Sequence, residues 1–320
     1  MNKKFNTRAM TEGAIMAALT ALLGVLSYYI PFLNLLIFIW PIPIIVLGIR
    51  QGMTISLLAT FIASVLVSIF TPIVYSGYLI LMYGLLGIVL GYAYQKQWSI
   101  SKTALLGYVT SLLSIVVMFQ FYRIIVGVDI LTEMTEMMKL SMGEITNMYQ
   151  KMGVDPNILD QAVERIENMM QTVNMLFPAI LLTIPMAITG INMLVTQKLL
   201  PRLGYHQVAK IQPLRNWKLP SHANYGLFFI IVLTTLGQYL KIPNFDMVHR
   251  NVLYLILMVF FIQGLAVISY FFHHRNFSKG IKFIGYLFIL LTPFLQIMIH
   301  FIGLFDVVFN FRNLIKHNGR

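Results

Sequence analysis

The chain has 320 residues, of which 58% are apolar and 11% charged, half or less of the roughly 25% charge expected of a soluble domain. That much apolar surface cannot be hidden in a soluble fold, so a water-soluble enzyme is excluded, and apolar runs of about 18 to 25 residues require an all-α, polytopic helical membrane protein rather than a barrel. The 23 Lys and Arg against 11 Asp and Glu give a net charge of +12 without a single cysteine, which in a membrane chain points to the anionic lipid bilayer as partner, excludes nucleic acid, and rules out disulfides, thiolate metal sites and cysteine nucleophiles.

Nine apolar runs follow one another: Met10–Tyr29, Phe32–Leu47, Met53–Phe70, Tyr75–Tyr94, Ala104–Val126, Leu176–Leu200, Tyr225–Leu240, Val252–Phe272 and Phe283–Phe301. The first is no cleaved signal, because no small-residue cleavage site follows and Pro31-Phe32 leads straight into the next run. It opens on Lys3, Lys4 and Arg8, with Glu12 one turn after Arg8 as an i,i+4 pair. Gly13, Ala17 and Ala21 recur every four residues, flanked by Ala14, Ala18 and Gly24. Such a face lets another helix approach closely, either from a partner or from the same chain. The second run carries Trp40-Pro41-Ile42-Pro43 and then Gly48-Ile49-Arg50-Gln51-Gly52. Two prolines so close free backbone carbonyls, so a broken helix is expected, covered by protein or lining a cavity. Asn34 and Trp40 are its candidate cavity-facing groups, and Gly84, Gly87 and Gly91 thin the fourth run.

The fifth run ends with Gln120, Tyr122 and Arg123. Arg123 either snorkels to headgroups or anchors an anionic ligand in an outward vestibule. Residues 127–173 then form one long polar segment that holds eight of the eleven acids. Leu131, Met134, Met138, Met142, Ile145, Met148 and Met152 give it an apolar helical stripe, Gly153 a stop, and Asp155-Pro156 the start of a second helix that reaches the sixth run. The methionines follow that stripe and no histidine accompanies them, so they are read as a soft packing or lid surface, not a copper site. Asn174 and Asn192 mark the sixth run. The last run ends in His300, Asp306, Asn310 and Arg312, with Asp306 and Asn310 on one face and Arg312 to compensate the charge. His273-His274 has no carboxylate near it in sequence, and no metal, catalytic or phosphate-cradling motif is present, so neither cofactor nor catalysis is expected.

Basic residues orient the chain with its N-terminus in the cytoplasm, where Lys3, Lys4, Arg8, Arg50, Lys96, Lys102, Lys198, Arg202, Lys210, Arg215, Lys218, Arg275, Lys279 and Lys282 fall. The segment 127–173 lies outside at −5, leaving +17 for the rest. Nine spans put Arg312, Lys316 and Arg320 outside, against the bias. A break of the last run at Gly303 is the expected remedy, and the side of the tail is left open.

The basic start and small first face resemble the substrate-binding component of energy-coupling-factor (ECF) vitamin transporters, whose first helix carries an Ala-x-x-x-Ala face. Ala14/Ala18 and Ala17/Ala21 match it, and six spans up to Leu200 match its core. The resemblance implies docking, through Ala14, Ala17, Ala18 and Ala21, of a transmembrane coupling subunit with separate ATPases. More closely, Pro41–Pro43, the Gly48–Gly52 loop, Gly84–Gly91 and the Asp306…Arg312 tail resemble the YybS-like family of bacterial membrane proteins. The expected organisation is a six-span core over residues 1–200 that includes 127–173, a basic cytoplasmic loop over 201–222, and a three-span extension over 223–320. The expected function is binding, and help in transport, of a small solute or amphipathic molecule at the cytoplasmic membrane, without catalysis. The tentative ligand groups are Asn34, Trp40, Gln120, Arg123, Asn174, Asn192, His300 and Asp306. The alternative is a membrane scaffold that recruits partners through the external helices and basic loops.

Overall fold

A computed structural model describes residues 7–205, 210–310 and 312, and the regular structure among them is helical throughout. Lys3, Lys4, Lys316 and Arg320 lie outside the described residues. Helices are what hydrocarbon demands, since each backbone group then finds its partner within its own segment. Seven of the described helical segments are long and apolar enough to cross a membrane, or eight if one sharply bent pair counts as a span. They account for eight of the nine apolar runs. The run Tyr225–Leu240 forms a helix outside that set.

The chain divides into two compact units, residues 1–170 with 181–211 and residues 171–180 with 212–320. At the end of the first, the Ile211 N–H is held by Gln197 Oε1 at 2.7 Å.

In the first unit, α1 (Thr7–Tyr29) packs on α3 (Met53–Phe70). It buries Gly13, Ala17, Thr20, Ala21, Gly24 and Ser27, against Ala59, Thr60, Ala63 and Val67 among others. The approach is tight: a Cβ on Gly13 would lie 3.1 Å from Ile55 Cγ2, and one on Gly24 2.9 Å from Val67 Cγ2. Between them the second span is broken as the prolines require. A 3-10 helix, Pro31–Ile39, gives way at Trp40-Pro41 to α2, Ile42–Gln51. The fourth span is irregular too, with a π turn at Ile80–Gly84 joining α4 (Ile73–Leu79) to α5 (Leu85–Gln95). α2 and α5 meet where Gly48 faces Gly91, a Cβ on the former lying 3.0 Å from the Cα of the latter. Glu12 reaches across from α1 to the end of α2, accepting from Arg50 Nη1 at 2.5 Å and from Gln51 Nε2.

α6 (Ile100–Val126) ends at Gly127, with φ +86°. The acidic segment is two helices, as its periodicity indicates: α7 (Ile130–Lys151), then a turn with Gly153 at φ +78°, then α8 (Pro156–Leu199). The Asp155 carboxylate caps α8 by accepting from Asn157 N at 2.9 Å. α8 continues without interruption through Pro178 into the sixth span. Tyr122 ties α6 to α7 by donating to Glu133 Oε2 at 2.6 Å.

The second unit contains α9 (Ser221–Tyr239), α10 (Phe245–His274), α11 (Lys279–Leu291) and α12 (Pro293–Phe309). Here the break expected at Gly303 is corrected. The last run bends by 103° between α11 and α12, at Thr292-Pro293. Proline removes an N–H and pushes the preceding residue out of the helical region, and Thr292 is extended, at φ −108° and ψ 107°. Gly303 stays helical because it is a contact point. A Cβ there would lie 1.8 Å from the Phe260 carbonyl oxygen, and one on Gly264 2.1 Å from that of Ile299. α10 and α12 therefore touch backbone to backbone. Gly303→Ala should lower the melting temperature of the detergent-purified protein, by about 1–3 kcal/mol of overpacking. Gly280→Ala, where a Cβ meets nothing within 4 Å, should leave it unchanged in the same thermal-unfolding series.

Candidate ligand site

The two irregular spans of the first unit meet at Trp40. Its side chain is fully buried, and its Nε1 has no hydrogen-bond partner. Glycines shape the slot. A Cβ on Gly24 of α1 would lie 3.2 Å from Trp40 Nε1, and one on Gly84 of the π turn 3.7 Å from Trp40 Cζ3 and 2.6 Å from Thr60 Cγ2. A buried indole N–H normally finds an acceptor, so this one is a donor held in reserve.

A ladder of tyrosines leads to it from the end of the unit where α1 and α3 finish. Ring centroids are separated by 5.1 Å from Tyr29 to Tyr28, 4.9 Å from Tyr28 to Tyr75, 6.3 Å from Tyr75 to Tyr78 and 5.8 Å from Tyr78 to Tyr83. Exposure falls from 61% at Tyr29 to 2% at Tyr83. The hydroxyls keep the ladder in place. Tyr29 donates to the Phe70 carbonyl, Tyr75 to the Gly24 carbonyl at 3.3 Å, and the Tyr78 and Tyr83 hydroxyls lie 3.4 Å apart. Through Gly24, Tyr75 and Trp40 border the same backbone unit.

Asn192 of α8 is also fully buried. Its Nδ2 donates to the Phe38 and Ile188 carbonyls, both at 2.9 Å, and its Oδ1 has no partner. The Phe38 carbonyl belongs to the 3-10 stretch, so Asn192 supplies a bond that the irregular backbone lacks. Among the unpartnered polar atoms of this unit are thus a donor, Trp40 Nε1, and an acceptor, Asn192 Oδ1, beside a series of π faces. None of these side chains is charged.

The other sequence candidates are dispersed. Asn34, Gln120, Arg123 and Asn174 are exposed. The Arg123 side chain is 63% exposed and 3.9 Å from Asp129, an arrangement worth little in solvent and one that fits a headgroup anchor. Ala17 and Ala21 are buried against α3, whereas Ala14 and Ala18 face outward. The tyrosines escaped the sequence reading. The signal was Tyr28, Tyr75 and Tyr78 beside span ends, a pattern shared with any interfacial aromatic belt.

His300 and Asp306 belong to the second unit. His300 Nδ1 donates to the Gln296 carbonyl at 2.6 Å, and its ring lies 5.1 Å from that of Phe261. Asp306 is fully buried. Its Oδ2 accepts from Gln263 Nε2 at 2.7 Å, Arg312 Nη2 at 2.8 Å and Arg312 Nε at 3.2 Å. Arg312 Nη1 also donates to the carbonyls of Trp217 at 2.6 Å and Arg215 at 3.1 Å, and Gln263 Oε1 accepts from Leu219 N at 3.1 Å. The compensation expected of Arg312 is present, and the cluster clamps the segment that precedes α9. Arg312→Met should destabilise the protein by about 3–5 kcal/mol, because the Asp306 charge is then buried alone. Adding Asp306→Asn should recover part of that loss. A double-mutant thermal series measures the coupling.

The comparisons agree with this architecture. No solved structure matches the chain. It is 24% identical over 312 residues to the "Uncharacterized protein YybS" of Bacillus subtilis (strain 168), an alignment that covers 97% of this chain and 99% of that protein. Residues 18–307 match the family described as "Predicted membrane protein (DUF2232)". That match runs from α1 to α12 and takes in both units, so the chain belongs to the DUF2232 family of membrane proteins, with the YybS-like resemblance borne out.

Proposed function

We propose that this membrane protein binds a small solute and helps to move it across the cytoplasmic membrane, without catalysis of its own. The carrying observation is the unpartnered Trp40 Nε1, fully buried at the foot of the tyrosine ladder. A donor left unmade in an apolar core costs about 1–3 kcal/mol on protein mutational scales. A solute that accepts from Trp40 and donates to Asn192 Oδ1 recovers that cost. The tyrosine faces suit a flat apolar portion of the same molecule.

Movement calls for a partner. The outward face of α1 offers Ala14 and Ala18 between Met10 and Ile15, each 60% exposed, and Leu22, 54% exposed. Small residues set among larger ones let a second helix lie close. This supports a transmembrane coupling subunit with separate ATPases as the partner. A second reading, a membrane scaffold, draws on α7, which buries none of its own residues and exposes Met134, Met137, Leu140 and Met148. For orientation, the charge division between 127–173 and the remainder supports an N-terminus in the cytoplasm.

Native mass spectrometry of gently purified protein tests the binding reading. The wild type should carry a small molecule. Trp40→Phe should lose about three- to tenfold of the retained fraction, the equivalent of one neutral hydrogen bond, and Trp98→Phe should lose none. A wild type that carries nothing, or a Trp40→Phe variant that retains as much, overturns it. For the partner, Ala18→Trp should abolish co-purification of a coupling subunit while the melting temperature holds. For orientation, cysteines at Asn157 and Arg215 should label oppositely in intact cells, with a non-permeant reagent reaching only the first.

A further inference from the structure

We propose that α7 is a dimerisation helix: its open face pairs, in parallel, with the α7 of a second copy of this chain in the same membrane. The inference does not depend on the binding reading, and it gives the scaffold reading a definite partner.

The face is more regular than an amphipathic helix requires. Leu131, Met138, Ile145 and Met152 follow one another at intervals of seven. Met134, Ser141 and Met148 fall between them, so the steps alternate between three and four over three heptads. A straight helix on a flat surface repeats every 3.6 residues, whereas a strict repeat of 3.5 winds around another helix. These positions are therefore the a and d positions of a coiled-coil seam. In the structure that seam lies open. Its six apolar members, five on α7 and Met152 at its end, are between 38% and 69% exposed, and Ser141 is exposed as well.

The flanks say which helix the seam suits. Coiled coils choose between partners through charges at e and g. Here g holds Ile130, Met137, Glu144 and Lys151, and e holds Thr135, Met142 and Tyr149. In a parallel pair of identical helices, g meets the e position five residues on, so Ile130 meets Thr135, Met137 meets Met142 and Glu144 meets Tyr149. No acid meets an acid, although the segment 127–173 stands at −5. Glu133 and Glu136 fall at c and f, away from the seam. A strongly charged partner helix finds no matching row of charges along these flanks. A second copy finds compatible neighbours throughout, which is the self-complementarity that a two-fold contact needs.

α8 sets the direction. It is one unbroken helix, Pro156–Leu199, so residues 156–175 carry it roughly 30 Å beyond the apolar run that starts at Leu176. α7 begins just after the end of α6 at Gly127 and finishes at Lys151, close in sequence to the start of α8. At about 33 Å long, α7 covers that height only by standing close to the direction of α8. Two copies in one membrane share its normal, so a two-fold axis along the normal sets their α7 helices parallel and in register. Three heptads make a short coiled coil, but anchoring both chains in one membrane raises their effective concentration.

The cysteine-free chain makes the test direct. Single cysteines replace Met134 and Met148 on the seam, and Gln150, exposed at f, serves as control. The full-length variants are oxidised in isolated membranes. The seam cysteines should form disulfide-linked dimers about tenfold faster or more than the control, because a disulfide closes only between Cα atoms less than about 7 Å apart. Adding Ile145→Glu to Met148→Cys should abolish that advantage by setting two carboxylates against each other. Co-expression with a differently tagged chain carrying Ile145→Lys and Met148→Cys should restore it, as a product containing both tags. Ligand retention and melting temperature of the Ile145 variants should match the wild type, so a failure of pairing and a failure of binding are read separately. Seam cysteines no faster than Gln150→Cys overturn the proposal, as do seam cysteines linked to a different protein or shielded from a water-soluble thiol reagent without forming dimers. An Ile145→Glu variant that links as fast as its parent overturns it too.

Discussion

Backbone groups that cannot reach water must be satisfied inside the protein, and in this chain that requirement falls hardest on Pro41 and Pro43. Each lacks an N–H, so the second span cannot run as one helix from Pro31 to Gln51. Its carbonyls must then be served from elsewhere. Asn192, 154 residues later in sequence, donates to that of Phe38. The same break seats Trp40 between Gly24 and Gly84, where larger residues would collide with their neighbours. The irregular second span, the π turn of the fourth and the buried Asn192 amide of the sixth are thus one solution to one deficit. Polar atoms gather at that place because the backbone is irregular there.

Close packing in both units depends on residues with little or no side chain. α1 meets α3, and α2 meets α5, through Gly, Ala, Ser and Thr. In the second unit Gly264 and Gly303 bring α10 and α12 into backbone contact. Lipid tails are as apolar as leucine, so burial of apolar side chains between spans gains little over leaving them in lipid. Dispersion between close backbones and a few internal hydrogen bonds must hold the helices together instead. The many large apolar residues that remain exposed, Phe32 and Phe61 among them, are what a lipid-facing surface consists of.

Much of the fold was legible in the sequence because hydrocarbon permits few answers. The nine apolar runs are all helical, Pro41 and Pro43 break the second span, and Gly153 and Asp155 separate α7 from α8. Gly303 misled because glycine serves equally as a helix breaker and as a contact surface, and only the position of Phe260 distinguishes them. Pro293 was the stronger breaker. The site was less legible. Trp40, Asn192 and Asp306 stood out as polar groups in apolar runs, yet sequence could not assign the first two to one unit's core and the third to the other unit. The tyrosines resembled an ordinary interfacial belt. Their stacking depends on how α1 and α4 come together, a long-range contact that no local spacing encodes.

The clamp at Arg312 bears on the order in which the protein is assembled. Arg312 bonds carbonyls of Arg215 and Trp217 that precede it by 97 and 95 residues. A chain made from its N-terminus therefore exposes the segment before α9 long before its clamp exists. During that interval Gln263 can hold Leu219, but the Asp306–Arg312 pair cannot form. The second unit is fastened only once Arg312, which follows its last described helix, has been made. A chain that stopped before Arg312 would have every described span in place and that fastening missing.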